Sequence, residues 1–271
     1  MELKHLIVHL DSSERTAERL ELAVSLAARF GARLSGLFAE GASIGGSAVG
    51  RRSPQNMQRA REEARARFEQ RTREASLATD WWQVEQGDYA HLVGWTAVCC
   101  RYADLALFGQ QDPEREGLVP PDLVDQAVLE SGRPVLVVPY IGRYTEIGSR
   151  VLVAWTGSRE SARALNDALP LLRGAREVTV LSLQQAPSGA AGTVPDLDIT
   201  AHLRAHGVEA SYERVLTDTG AADLVLNRAA DTGADLTVLG AYTQSGFPFL
   251  PRSTTTRDIL RTMTTPVLLS R

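Results

Sequence analysis

The sequence predicts an α/β protein built twice over, with buried parallel strands in each copy, on three observations. Sliding the chain along itself by 145 residues sets IVHLDSSERTAERLELAVSL against LVAWTGSRESARALNDALPL, so that Val8, Ser13, Ala17, Leu20, Ala23 and Leu26 fall on Val153, Ser158, Ala162, Leu165, Ala168 and Leu171. Both copies therefore open with an apolar run, a short loop and an amphipathic helix. They also close alike, because ADLALFG at 103–109 matches ADLTVLG at 234–240, and RPVLVVP at 133–139 matches TPVLLS at 265–270. Between these anchors β-branched or Leu-rich runs of five to eight residues alternate with longer helical patterns. That alternation is what parallel strands connected by helices require.

Taken in order, the first copy predicts strands near 4–10, 33–39, 81–86, 104–109 and 134–139, and the second near 150–155, 177–183, 210–215, 235–240 and 266–270. Ser13 and Ser158 stand where they cap the first helix of each copy, and Ser53 followed by Pro54 caps the next one. That second helix runs to about residue 78 and carries eight arginines (51, 52, 59, 61, 65, 67, 71, 73) against Glu62, Glu63, Glu69 and Glu74. The interleaved glutamates make it a solvated face rather than a basic arm. The expected domains are 1–140 and 150–271, joined by a linker at 141–149.

A chain of 271 residues has room for two cores, and 44% hydrophobic with 23% charged residues is a globular mixture. A net charge of -4 provides no electrostatic footprint for nucleic acid or an anionic membrane. The start, MELKHLIVHLD, reads as a first strand and not a signal peptide, since Asp11 closes its apolar stretch early. Cys99 and Cys100 are adjacent, which suits neither a long-loop disulfide nor a C-x-x-C site. A cytoplasmic location is the expectation.

Some motifs invite chemistry and lose it on inspection. Gly41, Ser43 and Gly45 spell G-x-S-x-G, but a nucleophile elbow needs a helix at once behind its serine, and here GSAVGRRSP reaches Pro54 first. His202 and His206 would share a helix face without the glutamate of H-E-x-x-H, so an exposed helix is the expected reading. His5, His9 and His91 are isolated and read as strand or helix surface. Trp81 and Trp82 point to opposite faces of a strand, so at least one packs in the core.

The segment after the fourth strand of the second copy, GAYTQSGFPFLPRSTTTRDIL, is the most informative. Gly240 ends a strand, and Ser253, Thr254, Thr255 and Thr256 stand just before a helix, flanked by Arg252 and Arg257. Hydroxyls at a helix start either cap it or help its N–H groups hold an anion. In an open α/β sheet this loop lies at the carboxyl ends of the strands, where ligands bind.

The openings LIVHLDSSERTAERL and RVLVAWTGSRESARALNDALPLL, the two ADL strands and the closing GAYTQS and TTPVLLS, in order and twice, resemble the universal stress protein family in its tandem form. The resemblance implies two doubly wound domains of the adenine nucleotide alpha hydrolase type, each a five-stranded parallel sheet with helices on both faces, paired through their last strands. It also implies a stress-response binding or signalling protein rather than an enzyme. The alternatives are a small hydrolase or ATPase, or a purely structural pseudo-dimer that docks partners without a ligand. A small-molecule ligand, a protein partner and further dimerisation belong to this expectation, whereas nucleic acid, membrane and a metal site do not.

Some members of that family bind ATP through G-x2-G-x9-G-[ST], with an aspartate at the end of the first strand. Carried onto this sequence, the second copy keeps Gly240 and Thr254, has Thr243 and Ser253 in place of glycines, and has Thr156 in place of the aspartate. The anion-binding candidates are thus Thr156, Gly240, Thr243, Ser253, Thr254 and Thr255, for ATP or another adenine nucleotide bound weakly. In the first copy Asp11 and Gly109 keep their places, but Asp112, Glu114, Glu116, Asp122 and Asp125 stand where phosphates would settle. Asp11 and Gly109 are the weaker candidates.

Overall fold

A computed structural model describes residues 2–41, 53–84, 89–112, 119–184, 198–216, 220–242 and 254–271. The chain divides into two compact units, 2–146 and 147–271.

In the first unit β1 (His5–Leu10), β2 (Arg33–Phe38), β3 (Thr79–Gln83), β4 (Leu105–Gly109) and β5 (Val135–Val138) alternate with α1 (Thr16–Phe30), α2 (Pro54–Glu74), α3 (Tyr89–Cys100) and α4 (Leu123–Ser131). The strand order is β3-β2-β1-β4-β5, and each pairing is parallel. The second unit repeats this with β6 (Arg150–Trp155), α5 (Arg159–Leu172), β7 (Glu177–Gln184), α6 (Ile199–Ala205), β8 (Ser211–Leu216), α7 (Ala221–Asp231), β9 (Leu236–Gly240), α8 (Thr254–Thr262) and β10 (Val267–Ser270). Its order is β8-β7-β6-β9-β10, again parallel. Because the chain reverses its direction of travel after β3 and after β8, right-handed crossovers place the helices of each unit on both faces of its sheet. In the first unit α1 packs on β1, β2 and β4 and meets α2, while α3 packs on α4.

Burial on both faces explains the continuous apolar runs of the central strands. Leu6, Ile7, Val8 and Leu10 of β1 are buried, as are Leu105, Ala106, Leu107 and Phe108 of β4. Helix α1 turns Leu20, Ala23 and Ala27 into this core and stops at Gly31, whose φ of 58° is the left-handed cap that lets Ala32 N–H reach the Ala27 carbonyl. Gly36 of β2 makes room for aromatic packing, since a Cβ there would lie 3.0 Å from both Phe68 and Trp81. Trp81 stacks toward Phe68 and Phe38, whereas Trp82 meets His5 edge-on, so the two indoles do take opposite faces of β3.

The repeated ADL motif has a structural cause. Asp104 accepts hydrogen bonds from the backbone N–H groups of Lys4 and His5 at 2.8 and 3.0 Å, and its own N–H donates to the His5 carbonyl. Asp235 does the same for β6, accepting from Gly148, Ser149 and Arg150 at 2.8, 3.0 and 3.2 Å. In both units a carboxylate thus gathers the N–H groups at the start of the first strand and pins it beside the fourth.

Two expectations need correction. The third strand spans Thr79–Gln83 rather than 81–86, because β2 pairs Leu34 with Thr79 and so draws the strand two residues earlier. Ser13 does not cap α1 through its side chain: the helix begins at Thr16, and the Ser13 N–H donates to the Asp11 carboxylate in the turn before it. Ser53 and Ser158 do cap, accepting from Asn56 and Ser161 N–H. The arginines of α2 pair with their glutamates as a solvated face should: Arg59 with Glu63, Arg65 with Glu69, and Arg71 with Glu74 and Glu21.

Candidate functional site

In each unit the chain leaves the first and fourth strands in opposite directions, which opens a crevice at their carboxyl ends. The two units fill these crevices differently.

In the first unit the crevice holds a buried charge cluster. Asp11 follows β1, and Arg19 projects from the second turn of α1 on the same helical stripe as Thr16, Leu20 and Ala23. The Arg19 guanidinium donates through Nε to the His9 carbonyl at 2.6 Å, and through Nη2 to Asp11 Oδ2 at 2.9 Å and Thr16 Oγ1 at 3.0 Å. The other carboxylate oxygen of Asp11 accepts from the Ser13 N–H at 2.8 Å and the Thr16 hydroxyl at 2.6 Å. His9 lies with Nδ1 3.8 Å from Asp11 Oδ2, and its Nε2 is 2.8 Å from the Ala39 carbonyl. A carbonyl only accepts, so the proton of the neutral ring sits on Nε2. All four side chains are buried.

Electrostatics follow from this geometry. Burial pushes the His9 imidazolium down to a pKa of about 4, more than the nearby Asp11 charge raises it. Burial pushes the Asp11 carboxyl up, but Arg19, His9 and the hydrogen bonds from Ser13 and Thr16 outweigh it and hold Asp11 well below the usual carboxylate range. Arg19 also lies against Gly109 at the end of β4, where a Cβ would come within 2.2 Å of Nη1. The structure thus joins Asp11 and Gly109, but through an arginine of the same chain. The Asp11 carboxylate is thus saturated by groups of its own unit.

The second unit lacks the cluster. At a displacement of 145 residues, Ala154, Thr156, Ser161 and Ala164 replace His9, Asp11, Thr16 and Arg19. Thr156 is exposed just beyond β6, and its hydroxyl donates to Ser158 Oγ at 3.0 Å. Ser158 accepts the Ser161 N–H at 3.1 Å and caps α5. Gly240 has a packing reason: a Cβ there would lie 2.4 Å from the Glu160 carbonyl carbon and the Ser161 nitrogen, so the first turn of α5 sits directly on the end of β9. Glu160 is buried in that turn; burial raises its carboxyl, but hydrogen bonds from its own backbone and from Arg159 and Ser158, with the Arg159 charge, leave it lowered.

Of the hydroxyl run, Thr254 is the first residue of α8 and Thr255 is half-buried. Thr256 is buried and accepts the backbone N–H of Tyr242 at 3.1 Å, which ties the start of α8 to the residues after β9. Tyr242 itself is buried at a φ of 52°. Thr243, Arg252 and Ser253 lie outside the described residues, as do Glu114, Glu116 and the Ser43 and Gly45 of the G-x-S-x-G spacing. The structure therefore gathers Thr156 and Gly240 around the first turn of α5, and holds the start of α8 to the loop that follows Gly240.

Sequence reasoning missed His9 and Arg19. An arginine on the apolar stripe of a helix, eight residues after an acid that closes a strand, is the signal that could have found them. His202 and His206 do face each other, with ring centroids 4.7 Å apart. Among the described residues, however, no group of three or more His, Cys, Asp or Glu is placed to hold a metal, and no helix is long and apolar enough to cross a membrane.

Comparison with known proteins agrees with this architecture. Residues 149–271 match the model of the universal stress protein family. Residues 149–271 carry that family's sequence signature. The whole fold is similar to a universal stress protein from Archaeoglobus fulgidus, at 16% identity over 100% of this chain and 99% of that one, with a TM-score of 0.72. It is also similar to a protein of unknown function from Pseudomonas aeruginosa PAO1 (16% identity, 99% and 92% covered, TM-score 0.62). A third likeness is to a universal stress protein from Pseudomonas aeruginosa UCBPP-PA14 (17%, 99% and 93%, TM-score 0.61). No curated protein sequence matches the chain. The universal stress protein fold is thus present in tandem, with the family signature carried by residues 149–271.

Proposed function

We propose that this tandem universal stress protein is a non-catalytic stress-response binding protein that takes one small anionic ligand, of the adenine nucleotide class, in its second unit. The observation that supports this reading is the contrast between the crevices. Arg19 closes the first from within, whereas Ala164 leaves the second without a plug and Thr156 and Ser158 stand at its edge. Thr156, Gly240, Thr243, Ser253, Thr254 and Thr255 surround the ligand in this reading, and backbone N–H groups at the starts of α5 and α8 meet its phosphate. With Thr156 in place of an aspartate, and with the Glu160 carboxylate of the same turn paired to Arg159, binding in this reading is weak and independent of magnesium. The internal pairing of the two halves, a cytoplasmic setting and an unidentified protein partner are parts of the same proposal.

A thermal-shift panel of ATP, ADP, AMP and inorganic phosphate tests the reading. A ligand present at a hundred times its dissociation constant stabilises its domain by about 2.7 kcal/mol. A shift that Thr156→Val removes supports the proposal, and no shift with any of the four rejects it.

A further inference from the structure

Helices α3 and α4 of the first unit bound an open groove of about 540 Å³, on elements separate from either crevice's first strand and helix. Its floor is small and apolar, formed by Ala90, Gly94, Ala97 and Val98, and a Cβ at Gly94 would meet nothing within 4 Å. Helix α3 places Trp95 and Tyr89 at its edge with 52% and 46% exposure, a large apolar surface to leave in water. The opposite wall is polar: Asp122, Gln126 and Glu130 recur every four residues and so line one face of α4.

Among the described residues neither Asp122 nor Glu130 has an ion pair, and Asp122 Oδ1 is out of contact with solvent without a hydrogen-bond partner. The Asp122 carboxylate turns about a soft torsion, which can bring that oxygen to a donor in the groove. Arg101 also lines the groove, yet its Nε and Nη2 donate to the backbone carbonyl of Glu130 at 3.3 and 3.1 Å and leave the carboxylate unpaired. At about 1.5 Å per residue, the eight residues from Asp122 to Glu130 separate the two acids by roughly 12 Å along the helix.

We infer that this groove binds a linear aliphatic polyamine. One ammonium group pairs with Asp122 and a second with Glu130, while the hydrocarbon between them lies on Ala90, Gly94 and Val98 beside the Trp95 indole. An aromatic face next to an unpaired carboxylate favours an organic cation over a metal ion, because the ring attracts the charge and the apolar floor desolvates the methylenes. The groove does not depend on the nucleotide reading, so the two fail separately.

The test is a titration of the full chain with spermidine, followed by calorimetry and tryptophan fluorescence, with magnesium chloride of equal ionic strength and hexylamine as controls. The expected result is saturable binding of spermidine at one site in the first unit, about tenfold weaker in Asp122→Asn and, separately, in Glu130→Gln. The Asp122 side chain makes no capping hydrogen bond to α4, so the first variant keeps the helix. The fluorescence change disappears in Trp95→Phe, and Thr156→Val binds spermidine as the parent does. Absence of saturable binding, parental affinity in either carboxylate variant, or displacement of spermidine by magnesium at matched ionic strength overturns the proposal.

Discussion

Replacing Arg19 by methionine removes the guanidinium while keeping much of its aliphatic bulk, and it isolates the charge cluster of the first unit. Three hydrogen bonds are lost, to the His9 carbonyl, to Asp11 and to Thr16. The Asp11 carboxylate, 8% exposed, is left without its cation. Removing one partner of a buried pair costs about 3 to 5 kcal/mol, much of it the penalty of the charge left behind. Changing Asp11 to asparagine as well removes that charge, so Arg19→Met with Asp11→Asn should lose less than the two single variants added together. Urea unfolding of the full chain supplies the free energies. Because the two units need not unfold together, residue-resolved hydrogen exchange assigns the loss, which is expected in β1, α1 and β4. A loss under about 1 kcal/mol for Arg19→Met, or additive single changes, refutes the view that this cluster holds the first crevice closed.

The same cluster makes the first unit sensitive to acid. The folded pKa of His9 is lowered from its ordinary 6.5 to about 4, so the unfolded chain binds the extra proton between those values and stability falls as pH drops from about 6.5 to 4, by about 3 kcal/mol. Asp11, whose folded pKa is also depressed, contributes stability above the usual carboxylate range and loses it at still lower pH. Denaturation midpoints across pH 4 to 7 should therefore slope in the parent and flatten in His9→Gln; an unchanged slope contradicts the burial of His9. Gly240→Ala should destabilise the second unit by about 1 to 3 kcal/mol or more, since the new methyl group meets α5 backbone that has no free side chain to move. A melting temperature equal to the parent's would show that α5 does not sit on β9. Asp235→Asn replaces a charged acceptor by a neutral one for three N–H groups and should cost about 1 to 2 kcal/mol by urea unfolding, with Asp104→Asn behaving alike in the first unit. Ser43→Ala should leave any ester hydrolysis at the background rate, and a hydrolysis abolished by that change would reinstate the elbow reading.

The strands were legible because parallel strands buried on both faces write themselves as unbroken apolar runs. β1, β4, β6 and β9 each begin and end within a residue of expectation. β3 was displaced because an edge strand carries a weaker pattern, TDWWQ, and its limits are set by the register of β2. The ADL repeat was visible as a match, but its purpose was not, since a carboxylate that collects N–H groups about a hundred residues away leaves no local spacing to read. Ser13 and Ser158 occupy equivalent positions and each donates its N–H to the side chain two residues earlier, Asp11 or Thr156, but only Ser158 also accepts the N–H three residues on and caps its helix. At the site, the acids after Gly109 pointed away from the first copy, yet the decisive residue there is Arg19, a side chain from the opening helix. Gly240 stood out in the sequence as the glycine that ends a strand, and its structural reason is the close approach of α5.

The central claim is that one crevice of the two accepts an anionic ligand, and calorimetric titration of the full chain with AMP and ATP, with and without magnesium, tests it most directly. The account predicts weak binding of one nucleotide per chain, unchanged by magnesium, reduced by Thr156→Val and Thr255→Ala, and retained in Asp11→Asn. Two nucleotides per chain, or magnesium-dependent binding that Asp11→Asn abolishes and Thr156→Val leaves intact, would contradict it.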